Sequence, residues 1–448
     1  MTTNIAPNPL QEMLESGEFF HLRDADAVHL IHSTFGPELE RLKNSPPASE
    51  PGSTTTSSSN AASKQLSPSR LLFDADFDEV NRTLVGMLAL KWLIANDYDT
   101  FTSTQHASTK LRRESFTQFQ HLCYSVFQTP EDFFSLLVAT VVNDLGKDPT
   151  LATDLVKVSG RSINGLNHDM VVYEAAQVNL VPCLQLLDEP HRKEVMLGLQ
   201  FGANLNIAQF VQAENVPGSL SSVFLMTEHA LNSKLLEQLL DVAGSAGHRD
   251  FSSAKPMSEP VFQAFMTAQQ ALLDVLRGHA SLRKGYDEIL VERSVLLDKT
   301  GFQHLSIDIP EERALLRLLT MGRTADRSQA DSFADAFYSL PDPIRQSLVQ
   351  GLNVDGIDDG KAILPYYMPA LISEGLKNTR NSTSEAKKDV LVSLMTFLTR
   401  VLDGTKPLPG QQGVIVERNL LFAKDTVRSD AFRMNPKILD QLQIPSED

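Results

Sequence analysis

TPEDFFSLLVATVVNDLGKDP, running from Thr129 to Pro149, is the stretch that decides the fold. Thr129 offers a hydroxyl to cap the first free amides of a helix. Pro130 suits the first helical position, which needs no amide hydrogen, and Glu131 and Asp132 favour the positive end of the helix dipole. The run from Phe133 to Val142 is apolar nearly all round, which predicts a central helix rather than one lying on the surface. Gly146 is expected to take the left-handed conformation that closes a helix, and Pro149 to keep it from resuming.

The same punctuation recurs outward from this helix. Ser382-Thr-Ser384 precedes a stripe of Val390, Leu391, Leu394, Leu398, Val401 and Leu402 closed by Gly404, which reads as a long helix with one buried face. Asp342-Pro343 begins another, and Trp92 sits at helical spacing from Leu88 and is expected in the core. Strand-like alternation is confined to His304–Ile309 and Gly413–Val416, both equally compatible with extended loop. Leu364-Pro-Tyr-Tyr-Met-Pro369 reads as a joint between helices. The expected class is therefore all-α, with a single large helical domain from residue 70 to 448 whose weakest seam lies near Pro256. Upstream, residues 45–69 are almost wholly Ser, Thr, Pro, Ala and Asn and read as a disordered insert. Residues 1–44 carry Phe19, Phe20, Leu22, Val28, Leu30, Ile31 and Phe35, enough apolar surface for a helical arm that docks on the main body.

Composition narrows the function. The chain has 448 residues, 42% of them hydrophobic, and a formal net charge of −16, so it can build a large core and its field repels a polyanion. Nucleic acid is not an expected partner. The basic run Lys110, Arg112 and Arg113 is followed at once by Glu114, as on a solvated helix face. Two cysteines, Cys123 and Cys183, both in apolar surroundings, are too few for a disulfide framework and suit a reducing compartment. No secretory leader and no apolar run of the ~20 residues that cross a bilayer is visible, so a soluble, cytoplasmic protein is expected. Asn81-Arg-Thr83 and Asn381-Ser-Thr383 match the glycosylation pattern but have no secretory context.

Phosphate-binding, dinucleotide, nucleophile-elbow, HExxH and CxxC signatures are all missing, and Asp355–Gly360 lacks the spacing of a calcium loop. Val141-Val-Asn-Asp-Leu-Gly-Lys-Asp-Pro149 does resemble a known pattern. It is similar to the HD-domain superfamily, in which a helix of a bundle ends in His-Asp, often followed by Leu-Gly-Lys. The resemblance covers about residues 105–250. It implies a divalent metal (Fe, Mn or Zn) that activates water, usually for phosphate ester hydrolysis. It also implies His121 as the earlier histidine ligand, Asp144 as the aspartate of the pair, His168 as an additional ligand and Asp241 as the closing aspartate. The chain departs from the family at Asn143, where the pattern has histidine. An amide oxygen brings neither imidazole nitrogen nor charge, so a weak metal site and a metal-free site both stay open.

An ordinary helix terminus has the same composition as this segment, with a closing glycine, a lysine that suits the dipole and a proline stop. More suggestive is Asn167-His168-Asp169, because it crowds polar groups just before Val171, Val172, Ala175, Ala176 and Val178, which must be buried. The leading expectation is a small-molecule enzyme on a degenerate HD-type scaffold, with His168, Asp169 and Asp144 as catalytic residues. A metal-free cyclase is the first alternative, in keeping with a general likeness to orphan proteins of filamentous fungi. A non-catalytic interaction protein, with phosphorylation sites at Ser45-Pro46 and Ser67-Pro68, is the second. A closed cavity of ~300–1,000 Å³ near Asn143 and His168 favours an enzyme, and an exposed apolar groove favours the interaction protein.

Overall fold

Helices build the computed structural model, which describes residues 8–47, 66–163, 165–379, 383–404 and 410–445. The chain is all-α apart from one small sheet. It falls into two compact units, Met1–Asn204 with Leu225–Phe265 and Leu205–Phe224 with Met266–Asp448, where the sequence predicts one domain. Most of the segment read as a disordered insert, and Asn381-Ser382 of the second glycosylation pattern, lie outside the described residues. Among the described residues no helix is long and apolar enough to cross a membrane.

The first unit has as its main helices α1 (Asp24–Leu42), α2 (Asp78–Ile94), α3 (Arg113–Val126), α4 (Pro130–Val142), α5 (Pro149–Ser159), α6 (His168–Gln177), α7 (Glu189–Asn204) and α8 (Glu228–Gly244). As predicted, α4 is central. Thr129 and Asp132 form a reciprocal capping box at its start, and Phe134, Leu137, Val138, Val141 and Val142 are fully buried. The N-terminal arm docks here as well. Phe19, Phe20, Val28, Ile31 and Phe35 are buried, and Asp24 at the start of α1 accepts from Lys91 Nζ at 3.0 Å and from the Trp92 indole at 3.1 Å. Asn81 and Thr83 are buried too, which removes the first glycosylation pattern from reach.

Glycines set how closely the first unit's helices approach. A Cβ on Gly244 would lie 2.2 Å from the Arg82 carbonyl oxygen, and one on Gly86 would lie 2.8 Å from that of Leu240. Only bare backbone lets α2 and α8 cross at this distance. Gly146 departs from its predicted role, since it is not among the positive-φ glycines. It is needed because a Cβ there would meet the His168 carbonyl oxygen at 1.9 Å. This contact seats the first turn of α6 against the end of α4.

The second unit has as its main helices α9 (Leu282–Asp298), α10 (Pro310–Met321), α11 (Arg327–Ser339), α12 (Asp342–Asn353), α13 (Met368–Asn378) and α14 (Ser384–Val401). The stripe predicted for α14 is buried throughout, from Val390 to Leu402. Strands β1 (Asp359–Tyr366) and β2 (Gln411–Asn419) pair in parallel, with Ile363 opposite Val416 and Pro365 opposite Arg418. The strand-like stretch at 413–416 thus lies in β2, whereas 304–309 is loop and turn. Leu364–Tyr366 ends β1 instead of joining two helices. Arg317, wholly buried, donates to the carbonyl oxygens of Ala213 at 3.1 Å, Asn215 at 2.7 Å and Leu352 at 2.9 Å, which ties the 213–215 loop to the end of α12.

Candidate functional site

Charged side chains from three helices of the first unit converge around the C-terminal end of α4. Glu79 and Arg82 come from α2, Asn143, Asp144 and Lys147 follow α4, and Lys234, Glu237 and Asp241 come from α8. Lys234, Glu237 and Asp241 lie at helical spacing and so share one face of α8. The glycine crossing of α2 and α8 brings that face up to Glu79 and Arg82.

Lys147 Nζ lies 2.8 Å from Asp144 and 3.1 Å from Glu79, and Arg82 donates to the other Glu79 oxygen at 2.9 Å. Glu79 and Asp144 also hydrogen bond to each other. Two carboxyl groups in contact share a proton, and the surroundings decide which keeps it. Burial, reinforced by the Asp144 charge, pushes Glu79 up to about 8 against the pull of Lys147 and Arg82. Burial also opposes ionisation of Asp144. Lys147, the proton donated by Glu79, Arg82 and His168 together outweigh it and hold Asp144 well below the usual carboxylate range. Glu79 is therefore the acid of the pair and Asp144 the base. Asp241 is raised by burial and by Asp144. Burial works against the Lys147 ammonium, but Asp144 and Glu79 raise it overall.

Beside this pair, Lys234 donates to Glu237 and to Asn143 Oδ1, the latter at 3.3 Å. Burial pushes Glu237 up to about 7, against the attraction of Lys234. Lys234 and Glu237 line a cleft between α4, α7 and α8, together with Leu136, Ala139, Glu194, Val195, Gly198, Leu199 and Ser233. Its volume is about 30 Å³, room for a water or two. The cleft is partly open to solvent and far below the size expected of an enzyme's cavity. Larger hollows occur in the second unit. One, of about 750 Å³, includes Ser347, Gln350, Thr399, Arg400, Asp403 and Arg418 in its lining. Arg400 and Arg418 spend their guanidinium groups on backbone carbonyls, so no reactive pair converges there.

Of the residues picked from sequence, Asp144, Asn143 and Asp241 come together, and His168 is near enough for its charge to act on Asp144. His168 and Asp169 begin α6, with Asn167 as the cap and the imidazole 3.5 Å from the Asp169 carboxylate. His121 is exposed on α3 and does not join them. The ligand set expected for a divalent metal therefore does not assemble. Asp144 is engaged by Lys147 and Glu79, Asn143 by Lys234, and among the described residues no three His, Cys, Asp or Glu side chains gather to hold a metal ion. The ammonium and guanidinium groups of Lys147, Arg82 and Lys234 supply the positive charge a metal would bring, and they would repel one.

Sequence reasoning missed Glu79, Arg82, Lys234 and Glu237, and it read Lys147 only as a helix-end lysine. A signal existed in Glu79 and Arg82, which stand in the polar first turns of a helix that is apolar further on, and in the polar face 234, 237 and 241. Residues 28–439 match the model of a family described as Family of unknown function (DUF6829). No curated protein and no solved structure matches the chain.

Proposed function

We propose, for a chain that belongs to the DUF6829 family of unknown function, a small-molecule enzyme that works by general acid–base chemistry on a degenerate HD-type helical scaffold. The observation that carries this reading is the pairing of Glu237 with Lys234 at the wall of a small cleft, backed by the Glu79–Asp144 carboxyl pair. Stability alone is a poor reason for such a group. Replacing a buried ion network by apolar side chains of similar volume is often neutral or stabilising, by about 1–4 kcal/mol. Acids shifted toward neutrality and clustered at a cleft are instead the usual mark of a functional site.

Near neutral pH Glu237 exchanges its proton readily. As the acid it donates to a carbonyl or hydroxyl oxygen of a bound molecule, and as the carboxylate it takes a proton from carbon or oxygen. Lys234 stabilises negative charge that develops on the reacting oxygen. Ser135 and Ser233 add hydroxyl groups to an otherwise largely apolar wall. Isomerisation, dehydration or ring closure of a mainly apolar substrate suits this set, and none of them requires a metal at this position. The competing reading, a non-catalytic interaction protein, draws on the small volume of the cleft.

Ligand-observed NMR with a fragment library of hydroxyl- and carbonyl-bearing apolar compounds separates the two. A Cβ on Gly198 would have only Lys234 Cδ nearby, at 3.8 Å, so this wall position admits a side chain and Gly198→Val narrows the cleft. Fragments that bind the wild type and are lost in Gly198→Val are the expected result. A library whose members bind both proteins equally, or neither, overturns the enzyme reading.

A further inference from the structure

α7 forms one wall of the cleft, and two histidines hold its first turns. His191, in its first turn, places Nε2 3.0 Å from the Asp132 carboxylate at the start of α4 and Nδ1 2.6 Å from that of Asp188. Both partners accept only, so a ring that bonds to both must carry a proton on each nitrogen. One turn on, Glu194 of α7 receives His229 Nδ1 from α8 at 3.1 Å and the Ser233 hydroxyl, and His229 Nε2 faces the Val126 carbonyl oxygen at 3.0 Å. Further along the same face Gly198 and Gly202 lie against the Lys234 side chain. Phe201 between them is wholly buried and anchors this end of α7, so the histidines act on its first turns.

We propose that α7 is a proton-operated gate over the Glu237–Lys234 cleft, held shut by the His191 imidazolium between Asp132 and Asp188, with His229 on Glu194 as a second tether. The role of the gate rests on the acid–base reading of the cleft, whereas its mechanics do not. The charged groups facing His191 are Asp132 from α4 and Asp188 from the turn before α7. Glu189 and Arg192, its neighbours on α7, pair with each other on the exposed side. Around His229 stand Glu194 of α7 and, further along α8, Lys234 and Glu237.

Side-chain bonds from Asp132 and Asp188 outweigh the partial burial of His191 and raise its proton affinity above that of an ordinary histidine. A raised histidine stabilises the closed arrangement below its unfolded value, and that contribution is lost as pH rises through the folded value. Deprotonation removes one of the two bonds and sets a nitrogen lone pair against a carboxylate. The gate then opens toward alkaline pH, where the cleft gains the room a substrate needs. At the acid end the clamp weakens only once pH falls through the lowered range of Asp132, which must stay ionised to accept.

Hydrogen–deuterium exchange on the full chain tests this, with rates corrected for the intrinsic pH dependence of exchange. Protection of Glu189–Asn204 should fall about tenfold between pH 6 and pH 9 in the wild type, while Ser384–Val401 of the second unit, which carries neither Glu79 nor Glu237, changes less than twofold. In His191→Gln, protection of α7 should be low at both pH values. Wild-type protection that ignores pH, or an undiminished pH response in His191→Gln, overturns the gate. If that variant fails to fold, the ring nitrogen shifts of His191 in the wild type decide instead. Two protonated nitrogens at pH 6 support the clamp, and a neutral ring at pH 6 refutes it. Fragment binding without a pH-dependent α7 would sink the gate alone, and a working gate without fragment binding would sink the enzyme reading alone.

Discussion

Substituting Glu237 by glutamine should change how stability depends on pH, not only its level. The Glu237 side chain is almost wholly inaccessible, and its folded value of about 7 stands against 4.5 for the ordinary group. At about 1.4 kcal/mol per tenfold change in proton affinity, that difference amounts to about 3 kcal/mol. Because the folded value is raised, the contribution is complete below the unfolded value and lost as pH rises through the folded one. The wild type should therefore lose about 3 kcal/mol between pH 4.5 and pH 8 from this residue. Glutamine keeps an oxygen to accept from Lys234 and Gln238 but cannot ionise. The measurement is urea unfolding of both proteins at unit steps from pH 5 to pH 9, taking the difference in unfolding free energy at each step. The difference should move by about 3 kcal/mol in favour of the variant as pH rises, with most of the change below pH 8. A difference that stays constant, or one that moves in favour of the wild type, would mean that the attraction of Lys234 outweighs burial, and the reasoning would fail.

Three further outcomes follow from the packing. Gly146→Ala forces a methyl group onto the His168 carbonyl and should cost about 3 kcal/mol or more, read as a lower thermal midpoint, with Gly36→Ala as a control where the nearest atom is His32 Nε2 at 4.0 Å. Arg317→Ala removes a wholly buried guanidinium and leaves the Ala213, Asn215 and Leu352 carbonyls without their donor, so equilibrium unfolding should show a loss of about 3–5 kcal/mol. Asp24→Ala unpairs the buried Lys91 ammonium and the Trp92 indole. Emission of that single tryptophan should then shift on denaturation at a lower urea concentration than in the wild type.

How much of this was legible in the sequence depended on whether the signal was local. The helix from Pro130 to Val142 was, because capping residues, a run of apolar side chains and a proline stop all lie within one segment. So was α14, from its cap at Thr383 to its buried stripe. Gly146 was correctly singled out but for the wrong cause. Its constraint comes from α6, twenty-two residues further on, and no local pattern encodes that approach. The end of β1 was read as a joint because rigid prolines, Pro365 and Pro369, stand beside adjacent aromatics. In a two-stranded sheet β1 keeps one free edge, where a missing amide hydrogen costs nothing. The two units were not visible either, since residues 205–224 leave the first unit without any flexible stretch to announce the exchange.

The candidate site shows the same division. Asp144 and Asp241 were identified because a resemblance pointed to them, and they do approach one another. Lys234, Glu237 and Asp241 form a polar face on α8, but a polar face is ordinarily the solvated one. Only the crossing of α2 over α8 turns it inward. His121 sits at a plausible place in the order of residues, yet the rotation of α3 directs it to solvent. Rotation about a helix axis is fixed by packing partners distant in sequence, so the histidine's direction could not be read from its own segment.

The central claim is that the first unit holds carboxyl groups poised to exchange protons near neutrality beside a small cleft. Carbon-detected NMR titration of protein labelled at the glutamate side-chain carboxyl groups measures this directly, in the wild type and in Glu79→Gln and Glu237→Gln. The account predicts one carboxyl titrating near 8 that disappears in the first variant and another near 7 that disappears in the second. Titration of both residues in the ordinary carboxylate range, with Glu79 and Glu237 already ionised at pH 6, would contradict it.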